Sequence, residues 1–493
     1  MTAAARRELA ALGAILIVAA AIRIATAGYS LWFDELASLV FAHQPQARLW
    51  SGWMIRESNP PLYYSLLRLW IGAFGESDRV VRLLSILIGL GGIVAGWALA
   101  RRLGGAAAGL IAAALLAVSA SHVAFSQEAR SYVLAYSATL VALIGAADVL
   151  DHRRRGPVIY AAATLVALYS HTTMIVFALL AGATVAVMLR RSPRALAEWL
   201  AANLLIAGGW AWWAAISLRQ MSAAHTNFDW IKQPSIRDAV DQTAIAYLPT
   251  FLAEVWPAGA VLLAGLAAMV VTVVRRDRRP TVILLTVLVV LAPATLFALS
   301  QIKPIFLYRT LYWANGPTTV LVALFVAGLA SAQTRRRVFI ALLATEALFL
   351  AAWLAFWQLE EWPSALRAIA SVDPHAIVLV EGDAMALAAA HYRPAASDMS
   401  VVELRPRTAL FDNWAQGLYQ GPHVDAAGAA ELLEAHHRVF ALTRHGHDPA
   451  WALRGVGYDQ PWTTASQGRK PLVWVWRARP QAALSMPSSP SLR

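Results

Sequence analysis

Two adjacent acids, Asp34 and Glu35, follow Trp32-Phe33 just after the first long apolar run of the chain. Other polar residues stand in later breaks between apolar runs. Asn59 opens Asn59-Pro60-Pro61-Leu62-Tyr63-Tyr64, and Gln127, Glu128, Arg130 and Tyr132 fall within Ser126-Gln127-Glu128-Ala129-Arg130-Ser131-Tyr132. His171 marks a hairpin tip, and Lys303 and Arg309 bracket Pro304-Ile305-Phe306-Leu307-Tyr308. Each has a plain reading alone: Asp34 caps a helix, the prolines start one, Glu128 pairs with Arg130, and Lys303 snorkels. Taken together they are acids, amides and cations on one face of a membrane bundle, where ionised groups are costly unless solvated or paired. Such a set suits an anionic, membrane-embedded substrate. Guanidinium groups hold a phosphate, and a carboxylate takes a proton from an incoming hydroxyl.

The elements that must position these residues are apolar helices. Seventeen arginines fall into six clusters: Arg6–Arg7, Arg101–Arg102, Arg153–Arg155, Arg190–Arg194, Arg275–Arg279 and Arg335–Arg337. The stretches between clusters are long enough to cross a bilayer and return, so cytoplasmic clusters satisfy the positive-inside rule throughout. Eleven spans are expected, near 9–27, 80–100, 105–120, 131–150, 157–170, 172–189, 195–217, 253–274, 280–299, 311–331 and 337–357. The N-terminus is then cytoplasmic and the C-terminal region extracytoplasmic. The first run resembles a signal peptide ending at Ala25-Thr26-Ala27; Arg23 and the acid pair that follows favour a retained helix. The net charge of +12 comes largely from the arginine clusters, which points to anionic lipid rather than nucleic acid. Absence of cysteine excludes disulfides and thiolate metal sites.

The expected division is a membrane domain over 1–360, an extracytoplasmic α/β domain over 361–480, and a disordered tail over 481–493. Within the first, an outer segment, 28–79, carries Trp32, Trp50, Trp53 and Trp70 and reads as interfacial helices. A second, 218–252, holds His225, Asn227, Asp229, Trp230 and Lys232. Beyond 363, helices at Ser364–Val372, Ala384–Tyr392 and Ala429–His436 alternate with strands at Ala376–Val380, Arg438–Thr443 and Leu472–Trp476.

The succession Trp-Phe-Asp-Glu, Asn-Pro-Pro-Leu-Tyr-Tyr, Arg82-Leu83-Leu84-Ser85, Ser-Gln-Glu-Ala-Arg-Ser-Tyr and Lys-Pro-Ile-Phe-Leu-Tyr-Arg resembles the family 39 glycosyltransferases over roughly 28–320. This is a polytopic GT-C class that includes protein O-mannosyltransferases and the lipid A aminoarabinose transferase. The resemblance implies transfer of a sugar from a polyprenyl-phosphate donor to an extracytoplasmic glycan, lipid or protein acceptor, with inversion. It implies Asp34 as general base supported by Glu35, and Arg130, Lys303 and Arg309 on the donor phosphate. Asn59, Gln127, Glu128, Tyr132 and His171 would contact sugar or acceptor. Many relatives carry tyrosine where this chain has Thr310.

No glycine-rich nucleotide loop is visible, and a polyprenyl phosphate needs none. A divalent metal fits the acids and His171 without any spacing that demands it. The rival reading is a lipid or polysaccharide transporter without chemistry, which calls for ionisable residues near the bilayer midplane. A ligand-binding sensor with a membrane anchor is a third reading, for which eleven spans are excessive.

Overall fold

The computed structural model describes residues 2–222, 231–248, 256–356, 360–404, 418–435, 439–444, 456–458, 462–463 and 473–480. The chain divides into two units. The first comprises Met1–Gly28 and Phe41–Phe356, and the second Tyr29–Val40 and Trp357–Arg493.

The helices, in order, are α1 (Ala3–Thr26), α2 (Phe33–Ala42), α3 (Gln46–Leu49), α4 (Leu62–Phe74), α5 (Asp78–Val118), α6 (Ala120–Ser126), α7 (Tyr132–Leu150), α8 (Gly156–Leu168), α9 (Met174–Leu189) and α10 (Pro193–Ser222). They continue as α11 (Ile236–Tyr247), α12 (Trp256–Arg276), α13 (Pro280–Ser300), α14 (Tyr308–Leu311), α15 (Asn315–Ala327) and α16 (Ala332–Phe356). Among the described residues, eight helical segments are long and apolar enough to cross a bilayer. The expectation of eleven separate spans differs from this at two places. Spans 80–100 and 105–120 are the arms of α5, which breaks at Gly105 with φ +75°. A Cβ at Gly109 would stand 2.9 Å from both Trp97 and Arg101, so the arms fold back on each other. The other two, α8 and α9, are apolar but short. α7 lies at the centre, with 83% of its apolar window buried against 11% for α16.

The arginine clusters gather at one end of this unit. Arg102 bonds Asp148 and Asp151, each at 2.5 Å, and Arg155 reaches Asp148 at 2.7 Å. Arg101 bonds Glu8 at 2.7 Å, and Arg276 reaches the carbonyl of Gly328 at 3.2 Å. Arg279 donates to the carbonyl of Leu103.

A second break, at Ser119 between α5 and α6, aims the segment carrying Gln127–Arg130. Its freed groups are capped from both sides. Fully buried Arg23 donates to the carbonyls of Leu116 at 3.2 Å and Ala117 at 2.9 Å, and to His122 Nδ1 at 2.9 Å. Glu346 accepts from the Ser119 hydroxyl and the Ala120 amide. An open helix end in hydrocarbon costs several kcal/mol per unsatisfied group, so both side chains stabilise the break.

The second unit is built on α17 (Trp362–Val372), α18 (Gly382–His391) and α19 (Ala426–Ala435), with strands β1 (Ile377–Glu381), β2 (Ser400–Leu404), β3 (His423–Val424), β4 (Val439–Arg444), β5 (Val456–Tyr458), β6 (Trp462–Thr463) and β7 (Val473–Pro480). The sheet order is β3-β2-β1-β4-β7-β5, with β6 also paired to β7. β1 pairs in parallel with β2 and β4, whereas β7 runs antiparallel to β4. The three expected strands correspond to β1, β4 and β7; β2, where buried Glu403 interrupts the apolar run, and the short β3, β5 and β6 were not expected. His225, Asn227, Asp229 and Trp230, the ends at His436, Arg438 and Leu472, and the tail 481–493 lie outside the described residues. So do 249–255, the start of the expected span 253–274.

Candidate functional site

In the first unit the site is built from four connections. The loop before α4 is drawn onto the tip between α8 and α9: Thr172 Oγ1 donates to the Ser58 carbonyl at 2.7 Å, and the Leu62 amide to the Tyr169 carbonyl at 3.3 Å. Gln220 Nε2 holds the same loop from α10 through the carbonyls of Glu57 at 2.6 Å and Ile55 at 2.9 Å. Pro60 and Pro61 fix the entry to α4, where a missing N–H costs nothing.

Asn59 is thereby placed beside a residue the sequence reading did not single out. Glu57 is fully buried, and its Oε1 accepts from the Asn59 amide at 2.9 Å and Asn59 Nδ2 at 3.0 Å. Glu57 also hydrogen-bonds Tyr64, whose phenol burial pushes up despite the opposing pull of Arg130. Arg130 Nη1 donates to the Tyr64 hydroxyl at 3.3 Å. An acid two residues before Asn-Pro-Pro was the signal that could have exposed Glu57.

Arg130 lies in the short turn between α6 and α7, only 5% exposed, with its guanidinium carbon 5.9 Å from the Tyr132 ring centre. Tyr132 in turn meets the His171 ring at 5.4 Å between centres. His171 Nδ1 lies 3.3 Å from the Thr173 amide nitrogen. Thr173 Oγ1 lies 2.8 Å from Nδ1 and donates to the Thr310 carbonyl at 3.1 Å, tying the tip to the turn that carries Arg309. Burial, then the charges of Arg130 and Arg309, push the His171 imidazole down to about 3. The ring is therefore a neutral donor beside two cations at ordinary pH.

Thr310 also fixes the local turn, donating to the Leu307 carbonyl at 2.7 Å and accepting from the Leu307 amide at 3.1 Å. Lys303 opens the connection from α13 to this turn. Gln127 points elsewhere: Nε2 donates to the carbonyl of Arg23 at 2.7 Å and to Thr26 Oγ1 at 2.5 Å, at the end of α1. The carbonyl of neighbouring Glu128 accepts from the Arg130 amide at 2.7 Å, tightening the turn.

Asp34 and Glu35 belong to the second unit. They form the first turn of α2, where acids favour the helix dipole. Glu35 is buried, and its Oε2 accepts from the Trp32 amide at 3.2 Å, so Glu35 rather than Asp34 makes the capping contact. Asp34 remains half-buried, its carbonyl accepting from Ser38 Oγ at 2.9 Å. The preceding residues pack within the same unit: the Leu31 amide donates to the Tyr392 hydroxyl at 2.6 Å, and Ser30 Oγ to the Glu360 carbonyl. Among the described residues no group of three or more His, Asp or Glu side chains is arranged to hold a metal ion.

Comparison with known proteins agrees with this architecture. Residues 58–213 match the family described as dolichyl-phosphate-mannose-protein mannosyltransferase. No curated protein matches the chain in sequence. The structure is similar to apo ArnT from Cupriavidus metallidurans, with 15% identity, a TM-score of 0.60, and 98% of this chain and 99% of that one covered. ArnT from the same organism bound to undecaprenyl phosphate gives 15% identity, a TM-score of 0.58, and coverage of 96% and 98%. The Archaeoglobus fulgidus oligosaccharyltransferase tethered with an acceptor peptide gives 12% identity and a TM-score of 0.51, covering 95% of this chain and 76% of that one. Residues 58–213 thus resemble that mannosyltransferase family, and the fold over nearly the whole chain resembles that of ArnT.

Proposed function

We propose that this protein transfers a sugar from a polyprenyl-phosphate donor to an acceptor hydroxyl outside the cytoplasm, with inversion at the anomeric carbon. The observation that carries the reading is geometric: Arg130 lies over Tyr132, whose ring meets His171, and Thr173 ties the His171 tip to the turn carrying Arg309. Departure of the lipid phosphate builds negative charge on oxygen, and pre-placed guanidinium groups stabilise it without reorganising. The acceptor oxygen forms a bond to the anomeric carbon as the bond from that carbon to the phosphate oxygen breaks. The acceptor proton passes to a carboxylate. Asp34 is assigned that role from its place in the acid pair at the start of α2, where it is half-buried. Glu57 and Asn59 position the donor side through Tyr64 and Arg130.

Two relatives support the donor and acceptor classes. The ArnT structure holds undecaprenyl phosphate, and the archaeal enzyme is tethered to a peptide acceptor. Gathering of the arginine clusters at one end supports a cytoplasmic face there and an extracytoplasmic site. Purified protein should turn over a polyprenyl-phosphate sugar and ignore nucleotide sugars. Efficient direct use of a nucleotide sugar would overturn the reading.

A further inference from the structure

The end of the first unit that collects the arginines also contains a cavity of about 410 Å³. Its charged and polar wall is made by His152, Arg153 and Arg154 from the turn before α8, and by Ser192, Arg194 and Glu198 around the start of α10. Three guanidinium groups thus face one carboxylate. Glu198 pairs with Arg194 at 3.2 Å. Arg153 lies 3.4 Å from Asp148, but that acid already serves Arg102 and Arg155. Arg154 has no hydrogen-bond or ion-pair partner among the described residues. The cavity therefore keeps a cationic surplus.

The backbone adds to it. α8 and α10 both start at this wall, so the positive ends of two helices converge there. His152 turns the chain into position with φ +57°, a left-handed conformation that a non-glycine residue adopts at some cost. The rest of the lining is apolar, made by Val149, Pro157, Pro193 and Ala195. A free phosphate has no use for that apolar surround, whereas acyl chains do.

We infer that this cavity binds the phosphate of an anionic phospholipid, with the acyl chains leaving past its apolar lining at Val149, Pro157, Pro193 and Ala195. The inference is independent of the sugar-transfer reading, because none of these residues takes part in the proposed chemistry. The test uses the full-length protein in detergent, with phosphatidylglycerol and phosphatidylcholine as probes and native mass spectrometry to count retained lipid. The wild type should retain phosphatidylglycerol in preference to phosphatidylcholine, and millimolar inorganic phosphate should not displace it. Arg154→Ala with Arg194→Ala should weaken retention about fivefold per arginine, the size expected of one basic side chain near an anionic surface. Arg154→Glu, a single change at an exposed position, tests the same point if the double variant fails to fold. Arg335→Ala with Arg336→Ala removes equal charge outside the cavity and should leave retention unchanged. Equal retention of the two lipids, displacement by inorganic phosphate, or equal losses in both double variants would each overturn the proposal.

Discussion

Acidification from pH 7 to pH 5 should destabilise this protein through His171, by an amount the site geometry sets. An imidazole in an unfolded chain titrates near 6.5, whereas burial and the two arginines hold His171 at about 3. The folded value is the lower one, so the unfolded chain takes up the proton first. The stability associated with the neutral ring is fully present above about pH 6.5 and is lost as pH falls toward the folded value. At pH 5 the unfolded ring is almost wholly protonated and the folded ring almost wholly neutral. The resulting loss relative to pH 7 is about 2 kcal/mol, from about 1.4 kcal/mol per pH unit over roughly 1.4 effective units. The assay is chemical unfolding in detergent, at both pH values, of the wild type and His171→Asn. Other titrating groups are common to both proteins, so the difference between them isolates this ring. Parallel pH dependence of wild type and variant would refute the reasoning, because His171 would then protonate as freely folded as unfolded. A bound polyprenyl phosphate, adding negative charge beside Arg130 and Arg309, should raise the folded value and narrow the gap.

Arg309→Ala should weaken donor binding by about 10- to 150-fold, the equivalent of roughly 1.5–3 kcal/mol for a hydrogen bond to a charged group. Donor titration against the purified variant checks this, and unchanged affinity removes Arg309 from the phosphate site. Asp34→Asn should keep donor affinity and lose about 10²–10⁴-fold in turnover at saturating donor, with a smaller loss for Glu35→Gln. Near-normal turnover in the first variant excludes Asp34 as base, and severe loss only in the second transfers the role to Glu35. Gly105→Ala should lower stability by about 1–3 kcal/mol, because φ +75° is strained for any side chain. An unchanged melting temperature would show that the α5 break tolerates a Cβ. A reporter fused after Arg337 should lie in the cytoplasm and one after Glu361 outside. Both on one side would contradict the proposed orientation.

Part of the site was legible because its residues are out of place in a membrane sequence. Arg130, His171 and Arg309 stand at breaks between apolar runs, away from the arginine clusters, and the structure brings both arginines to bear on one imidazole. Glu57 was signalled in the sequence only by its place two residues before Asn-Pro-Pro. Its significance lies in accepting bonds from Asn59 and in contacting Tyr64, a connection created by the fold of the loop onto α4. Gln127 looked like a ligand-binding amide but is committed to the end of α1, 104 positions away in sequence. Arg23 looked like an interruption in an apolar run. Its partners at Leu116, Ala117 and His122 explain how a guanidinium is retained inside the bundle.

The sequence by itself determined the class of solvent. Hydrocarbon rewards runs of apolar residues long enough to span it and penalises charge within them, so runs, clusters and breaks are readable one residue at a time. Only the tertiary structure decided that α5 is two arms folded at Gly105, that Glu35 makes the capping contact of α2, and that Tyr29–Val40 packs with the C-terminal unit. These outcomes depend on hydrogen bonds and steric contacts between distant segments. A buried carbonyl or carboxylate accepts whichever donor the fold delivers, and nothing in local composition names that partner.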